Sequence, residues 1–346
     1  MATSLTPGST EALDHSHKTE AVSGEHFVYK IGFLSLAMLL TASFTPARAQ
    51  FEKVQPDEGD SKVVLGTSQT TKYTIGLKIE ATGGDCVGLT GTIPVPADWP
   101  EQSVRLVNED ISSSVRVSYR MLENSVKQMN ISISRLRQGE RAYALITVEV
   151  EKFSTEAPQD TSKLVIPKKV PRAFLLYLGS SPFINSRHSG FRKQAAQITK
   201  DIENDWEKVE AIYDWTRDNV KFVSQKQTDA VTAIRDGQGD FEDVTGVFIA
   251  LCRASKIPAR TVWIPNSSYA EFYLEDEKGD GSWYPAKVAG PREFGFISTH
   301  EPILQKGDNI KVAEKKNRVR FVSEYLTGKR ISGKPTVKFV RESGGN

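Results

Sequence analysis

The fold of this chain is decided by residues 242–260, which read EDVTGVFIALCRASKIPAR. Residues 242–256 form the most apolar helix pattern in the sequence, and Pro258 predicts its end because proline cannot donate the backbone hydrogen bond that a helix needs. Short runs at 259–264, 270–274 and 283–288 follow, and their composition predicts strands. A buried helix followed by strands predicts an α+β domain.

Helical patterns also precede this stretch. Residues 191–202 and 205–219 carry apolar side chains at spacings of three and four, which is typical of amphipathic helices. Asp229 stands where an N-cap would, before a short helix that we expect to end at Gly237. We therefore place the α+β domain at residues 173–327.

Several short motifs in this domain occur together and in order. The motifs are 178–182 (LGSSP), 206–220 (WEKVEAIYDWTRDNV), 237–243 (GQGDFED), 250–260 (ALCRASKIPAR), 269–273 (YAEFY) and 283–287 (WYPAK). These motifs and the order of elements resemble the transglutaminase-like family, a branch of the papain-like cysteine hydrolase fold, over residues 178–288. The resemblance implies a papain-like fold, and a β-rich domain ahead of it is common in bacterial members.

The family's chemistry requires a cysteine nucleophile at a helix N-terminus, a histidine base and an aspartate that orients the histidine. Carried over by motif, these positions are Phe241, Ser267 and Lys287 in this chain. A phenylalanine cannot attack a carbonyl, a serine hydroxyl is no base near neutral pH, and a lysine would repel an imidazolium. We therefore expect a pseudoenzyme that binds a peptide, protein or cell-envelope partner, or that acts as a scaffold.

An enzymatic alternative remains open at the same positions. Ser267 and Lys287 would form a catalytic serine–lysine dyad if the amine were desolvated and within hydrogen-bond reach. The protein would then be an acyltransferase or amide hydrolase with non-standard residues. A purely structural module is a third hypothesis. Other candidates to line the cleft are Asp243, Tyr269, Glu271 and Trp283, with Asp243 also stabilising the first helical turn. For Glu271, a structural ion pair with Arg260 is favoured over a place in the cleft.

The two cysteines do not replace the missing nucleophile. Cys252 lies about three turns into the predicted helix, which favours a core role, and Cys86 lies in the β-rich half. A disulfide between them is allowed by an oxidising compartment but not indicated by the sequence. His188 and His300 are isolated, although His300 follows the strands and is a candidate to reach the cleft. The basic tract at 311–320 is expected to be a solvated face.

The preceding half has a different periodicity. Runs within residues 72–152 alternate every second residue, as in AYALITVEV at 142–150, and glycine and proline turns separate them. This pattern predicts an antiparallel β-sandwich-like domain with one face of each sheet in a core. Residues 50–71 are interpreted as a leader, 153–172 as a linker, and 328–346 as a flexible tail because they are basic and rich in glycine.

The N-terminus predicts export. Lys30 precedes an apolar run at 31–44, and Ala47-Arg48-Ala49 follows it, which is the pattern of a signal peptide cleaved near Ala49. The polar stretch that precedes Lys30 is unusually long for a signal peptide. The apolar run is shorter than the ~20 residues of a membrane span, so no transmembrane segment is expected in the mature chain, although an uncleaved anchor is the alternative. We expect a periplasmic, cell-envelope or extracellular location.

Composition excludes several functional classes. Lys and Arg number 45 and Asp and Glu 43 among 346 residues, for a net charge of +2, so the sequence provides no basic field for nucleic acid. Two cysteines and five histidines leave little for a zinc site or a disulfide scaffold. We expect no metal and no cofactor.

Overall fold

A β-sandwich forms the first part of the structure, a computed structural model that describes residues 47–56, 63–332 and 335–344. Its two antiparallel sheets have the strand orders β15-β1-β6-β3 and β14-β2-β5-β4. The strands are β1 (Val64–Glu80), β2 (Cys86–Val95), β3 (Gln102–Ile111), β4 (Val115–Leu122), β5 (Val126–Leu136), β6 (Arg141–Glu156), β14 (Tyr325–Ile331) and β15 (Thr336–Gly344). In β6, alternate residues from Ala142 to Val150 are buried, as the sequence pattern predicts.

The expectation of a flexible tail at 328–346 is wrong. β15 pairs with β1 from Lys72 to Glu80, and β14 pairs with β2. Both strands continue the sheets because an edge strand leaves backbone N–H and C=O groups that another strand can bind. The sandwich is therefore built from both ends of the described chain, and the α+β domain is inserted between β6 and β14.

A short helix closes one open side of the sandwich. α1 (Ala47–Lys53) packs against the edge strands β3 and β4. Phe51 is completely buried, with its ring edge-on to Tyr119 at 5.0 Å between centroids. Lys127 Nζ lies 3.4 Å from the Phe51 ring centroid and donates a 2.5 Å hydrogen bond to the Phe51 carbonyl. Burial lowers the pKa of Lys127 to about 7. The predicted leader thus contributes a core residue.

The predicted signal peptide lies almost entirely outside the described residues, which begin at Ala47. Across the three described ranges, no helix combines the length and the apolar character needed to cross a membrane.

The inserted domain places helices on a five-stranded antiparallel sheet of order β12-β11-β10-β9-β13. This architecture confirms the α+β prediction. A 3-10 helix (Arg172–Leu178) leads into it. The helices are α2 (Ser189–Thr199), α3 (Asp205–Asn219), α4 (Ala230–Asp236) and α5 (Phe241–Ala254). The sheet strands are β9 (Ala259–Ile264), β10 (Ser267–Glu275), β11 (Gly281–Lys287), β12 (Glu293–Phe294) and β13 (Gln305–Lys306), and a parallel pair is formed by β7 (Lys221–Phe222) and β8 (Gln238–Gly239).

The two faces of this sheet have different neighbours. Ala270 and Phe272 of β10 belong to the core that also contains α5. Tyr269, on the opposite face, packs with Ala97 and Trp99 from the loop between β2 and β3 of the sandwich. The sheet therefore separates the helical core from a contact layer with the sandwich.

Replacement of Phe51 by alanine tests whether α1 is part of the folded core. We expect Phe51→Ala to lower the free energy of unfolding by about 3–5 kcal/mol, because it leaves a cavity beside Tyr119 and a buried lysine. Urea unfolding of the purified protein measures this change. Phe222→Ala is the matched control, since Phe222 is 53% exposed, and should change stability by less than about 0.5 kcal/mol. Equal effects of the two changes would contradict the prediction.

Candidate functional site

The N-terminus of α5 is held by a capping box. Asp240 Oδ1 accepts hydrogen bonds from the backbone N–H groups of Glu242 and Asp243 at 2.9 and 2.8 Å, and Asp243 Oδ2 accepts one from Asp240 N at 3.3 Å. Asp243 also accepts from the Thr228 hydroxyl at 2.9 Å. Asp243 thus stabilises the first turn, as expected, and ties the preceding loop to it.

The three degenerate triad positions lie at the ends of their elements. Phe241 is the first residue of α5 and is partly exposed. Ser267 is the first residue of β10 and Lys287 the last of β11. These two strands run antiparallel with Ala270 opposite Ala286, so Ser267 and Lys287 lie at the same end of the sheet.

The Lys287 side chain is ion-paired with Glu293 and not hydrogen-bonded to Ser267. Its Nζ lies 3.7 Å from Glu293 Oε2 on the neighbouring strand β12. Among the residues that the structure describes, no hydrogen bond joins Lys287 to Ser267. The geometry that a serine–lysine dyad requires is therefore not formed.

A small recess lies beside the start of α5, with an accessible volume of about 10 Å³. Its lining includes Arg320, Glu242, Gln227, Phe183 and Trp263. The Arg320 guanidinium forms an ion pair with Glu242 and donates to Gln227 Oε1. Its Cζ lies 4.8 Å from the Phe183 ring centroid and 5.4 Å from that of Trp263.

The sequence did not identify these residues as a site. Arg320 belongs to the basic tract at 311–320, which we expected to be solvated, yet its side chain is only 21% exposed. No local pattern connects Arg320 with Phe183 or Glu242, because the chain brings them together only through the tertiary fold. The backbone of Phe183 does mark it as unusual, because its φ of 67° is rare for a bulky residue.

Three expected cleft residues instead lie on the sheet face toward the sandwich. Glu271 accepts hydrogen bonds from Arg260 Nε and Lys306 Nζ, each at 2.7 Å, and Lys306 Nζ also donates to Glu101 of the sandwich at 2.9 Å. The Arg260 guanidinium lies 4.1 Å from the Trp283 ring centroid. Tyr269, Glu271 and Trp283 are all buried. They contribute to domain packing rather than to an open cleft, and the structural ion pair between Arg260 and Glu271 that the sequence favoured is formed.

The charge of Glu271 is retained because of its cationic neighbours. Burial alone would raise the pKa of this carboxyl, but Arg260 and Lys306 hold the pKa below its usual value. We name Glu101, Lys306, Glu271 and Arg260 the interdomain charge chain. All four are buried, so the chain links the sandwich to the sheet without solvent screening.

The thiols and histidines lie away from the start of α5. Cys86 is buried in the sandwich core and Cys252 in the α5 core, both as free thiols. The two cores are different, so the allowed disulfide is not formed. Burial raises the pKa of each thiol. His188 caps α2, and His300 Nε2 contacts Thr67 of β1 at 3.2 Å, so His300 does not reach the cleft.

Part of the chain is similar to proteins of known families and structures. Residues 192–288 match the transglutaminase-like superfamily. A crystal structure of a candidate cysteine protease from Cytophaga hutchinsonii has 18% sequence identity and a TM-score of 0.50, covering 81% of this chain and 93% of that chain. The predicted resemblance to the transglutaminase-like family is confirmed, and the C-terminal half contains a transglutaminase-like domain.

A second structure, a candidate protease from Parabacteroides distasonis ATCC 8503, is 13% identical, covers 65% of this chain and 48% of that chain, and has a TM-score of 0.27, which is too low to support an argument. No curated protein matches the chain. Within the described ranges, no cluster of three or more histidine, cysteine, aspartate or glutamate side chains is arranged to hold a metal ion.

Glu271→Gln tests the interdomain charge chain. The change preserves volume but leaves Arg260 and Lys306 buried with an incomplete set of counter-charges, so we expect a loss of about 3–5 kcal/mol in the free energy of unfolding. Glu80→Gln removes a carboxylate from the exposed pair with Arg141 and should cost less than about 1 kcal/mol.

The same pair of variants has a pH signature. Because the folded pKa of Glu271 is lowered, its contribution to stability is present above the unfolded carboxyl pKa of roughly 4.3 and is lost as pH falls through the folded value. Denaturant unfolding between pH 7 and pH 3 should therefore show a smaller loss of stability in Glu271→Gln than in the parent. An unchanged pH dependence would contradict the ion pairing.

Thiol titration tests the placement of both cysteines. We expect Cys86 and Cys252 to resist Ellman's reagent in the folded protein and to react together when denaturant unfolds it, because buried thiols with raised pKa values are poor nucleophiles. A non-reducing mass measurement should show both thiols free. A thiol that reacts rapidly in the native protein would count against the assigned burial.

Proposed function

We propose that this protein is an exported, catalytically inactive transglutaminase-like protein that binds a peptide or protein partner, in solution or at the cell envelope, through the cleft at the start of α5. One observation carries the proposal: Phe241 is the first residue of α5. A thiolate in that position would be stabilised by the helix dipole, whereas a phenyl ring has no electron pair that could attack a carbonyl.

The surroundings of Phe241 support binding rather than acyl transfer. Lys287 is paired with Glu293, so the orienting position carries a cation bound to a carboxylate. Two phenylalanines at the same end of the domain are exposed: Phe183 by 51% and Phe222, which pairs with Gly239 just ahead of α5, by 53%. Exposed aromatic side chains beside a recess are typical of a surface that contacts a partner.

Export rests on the sequence at the N-terminus. The apolar run at 31–44 and the Ala-x-Ala site at 47–49 support cleavage near Ala49. Cleavage there would keep Phe51 and its contact with Tyr119, so the mature chain would retain the main anchor of α1. N-terminal sequencing of the exported protein should read Gln50-Phe51, and a mature chain that retains residues 3–29 would contradict the proposal.

Enzyme assays on the purified mature chain test the absence of catalysis. We expect amine incorporation into glutamine substrates and amide hydrolysis to remain at the level of a protein-free blank, because neither a thiolate nor a free base stands at the triad positions. Ser267→Ala and Ser268→Ala should leave that level unchanged, as should the matched control Ser343→Ala at an exposed position of β15.

Two results would overturn this proposal. The first is an activity that Ser267→Ala abolishes and Ser343→Ala does not, which would establish the alternative hydrolase or acyltransferase with Lys287 as its base. The second is an activity lost on alkylation of a cysteine, which would require Cys86 or Cys252 to become accessible.

A further inference from the structure

Arg320 is held in a cage that suits a guanidinium group. Two aromatic rings, Phe183 and Trp263, lie within 5.4 Å of its Cζ, and Glu242 and Gln227 supply acceptor oxygens. A guanidinium is planar, stacks on aromatic faces and presents its donors in a fixed fork, so rings and carboxylate together select arginine over other side chains. We name Phe183, Gln227, Glu242 and Trp263 the guanidinium cage.

The cage shields the Glu242–Arg320 ion pair from solvent, which strengthens the pair. The Glu242 and Arg320 side chains are only 18% and 21% exposed, and a pair this far from solvent is screened less than a surface pair. Burial raises the pKa of Glu242, and Arg320 opposes that rise. The Glu242 carboxylate therefore needs a neighbouring cation to remain ionised without a large desolvation penalty.

One wall of the cage is fixed before any ligand binds. Phe183 has a φ of 67°, a conformation that is costly for a bulky residue. Its carbonyl accepts a 2.9 Å hydrogen bond from Ala230 N at the start of α4, which holds the loop in place. Residues in such conformations are concentrated at binding sites, where the surrounding structure enforces them.

The segment that carries Arg320 is attached at its two sides. Gln305 bonds both backbone groups of Val322, donating to its carbonyl at 2.7 Å and accepting from its N–H at 3.0 Å. On the other side, Val319 pairs with Ile310 through two 2.8 Å backbone hydrogen bonds. Arg320 therefore reaches the cage with its side chain from a backbone that is held independently. Because the Arg320 side chain is tethered next to the cage, its effective concentration at the cage is high.

We propose that the guanidinium cage is the recognition site for an arginine side chain of a partner peptide, and that Arg320 is the built-in competitor that occupies it when no partner is bound. This inference rests on the proposed function, because it names the ligand and the regulation of the same cleft. Displacement of the Arg320 side chain from the recess beside α5 makes room for the incoming side chain, and the exposed Phe183 edge meets the peptide first. Removal of Arg320 should open the site.

The test compares affinities for a short blocked peptide, acetyl-Gly-Arg-Gly-amide, by isothermal titration calorimetry on the full mature chain. We expect Arg320→Ala to bind the peptide at least tenfold more tightly than the parent does. The same peptide with citrulline, which has the shape of arginine but no charge, should bind at least tenfold more weakly to Arg320→Ala. Adding Glu242→Gln to Arg320→Ala should remove the gain.

Arg318→Ala is the matched control. Arg318 lies two residues from Arg320 on the same segment but pairs with Glu123 of the sandwich turn rather than with the cage. It should leave the peptide affinity at the parent's level. Circular dichroism on each variant establishes that it is folded, and Arg320→Gln, which removes the guanidinium and its charge but keeps part of the side chain, is a second way to free the cage if Arg320→Ala does not fold.

Three results would overturn the inference: no gain in affinity on removing Arg320, equal binding of the citrulline peptide, or a gain that persists without the Glu242 charge. Each leaves the absence of acyl transfer untouched, so this failure is distinct from a failure of the proposed function. Conversely, an activity dependent on Ser267 would overturn the proposed function without changing the measured affinities.

Discussion

The carboxylate of Glu271 is withdrawn from water, and the arrangement of both domains depends on how its charge is neutralised. Arg260 on the adjacent strand supplies one cation, and Lys306 of β13 supplies the second. Lys306 then requires a further anion, which Glu101 provides from the sandwich. A buried charge left without its partner costs several kcal/mol. The sheet, the β13 segment and the sandwich are therefore held in one relative position.

The interdomain charge chain gives several residues of the family motif a structural role. Arg260 of the ALCRASKIPAR stretch and Glu271 of YAEFY are ion-paired, and Trp283 of WYPAK stacks on the Arg260 guanidinium. These residues serve packing and charge neutralisation on the sheet face opposite α5. Phe241 and Lys287 lie at the ends of their elements and are not part of that layer. Substitutions at Phe241 and Lys287 therefore leave this layer intact. Replacing Arg260 or Glu271 would instead leave a buried charge without its partner.

How much the sequence predicted depends on whether the information was local. The apolar run of α5 and the alternation in β6 are local patterns, and both elements formed as expected. β15 has few apolar residues, and its formation depends on the free edge of β1, which no neighbouring residue reveals. Phe51 was overlooked for a similar reason: one aromatic residue in a polar stretch is a weak signal until a pocket beside Tyr119 exists to bury it.

The electrostatics at the start of α5 connect the proposed absence of catalysis with the proposed ligand. A helix N-terminus normally favours an anion, such as a thiolate or the oxyanion that develops during acyl transfer. Here the first turn already carries Asp240, Glu242 and Asp243. Burial raises the pKa of Asp240, and the charge of Asp243 adds to that effect. Asp240 and Asp243 are used in the capping box, while Glu242 extends to the Arg320 guanidinium. A developing oxyanion would be repelled by these carboxylates, whereas a cation completes their charge balance, and this difference is the electrostatic basis of the proposed arginine site.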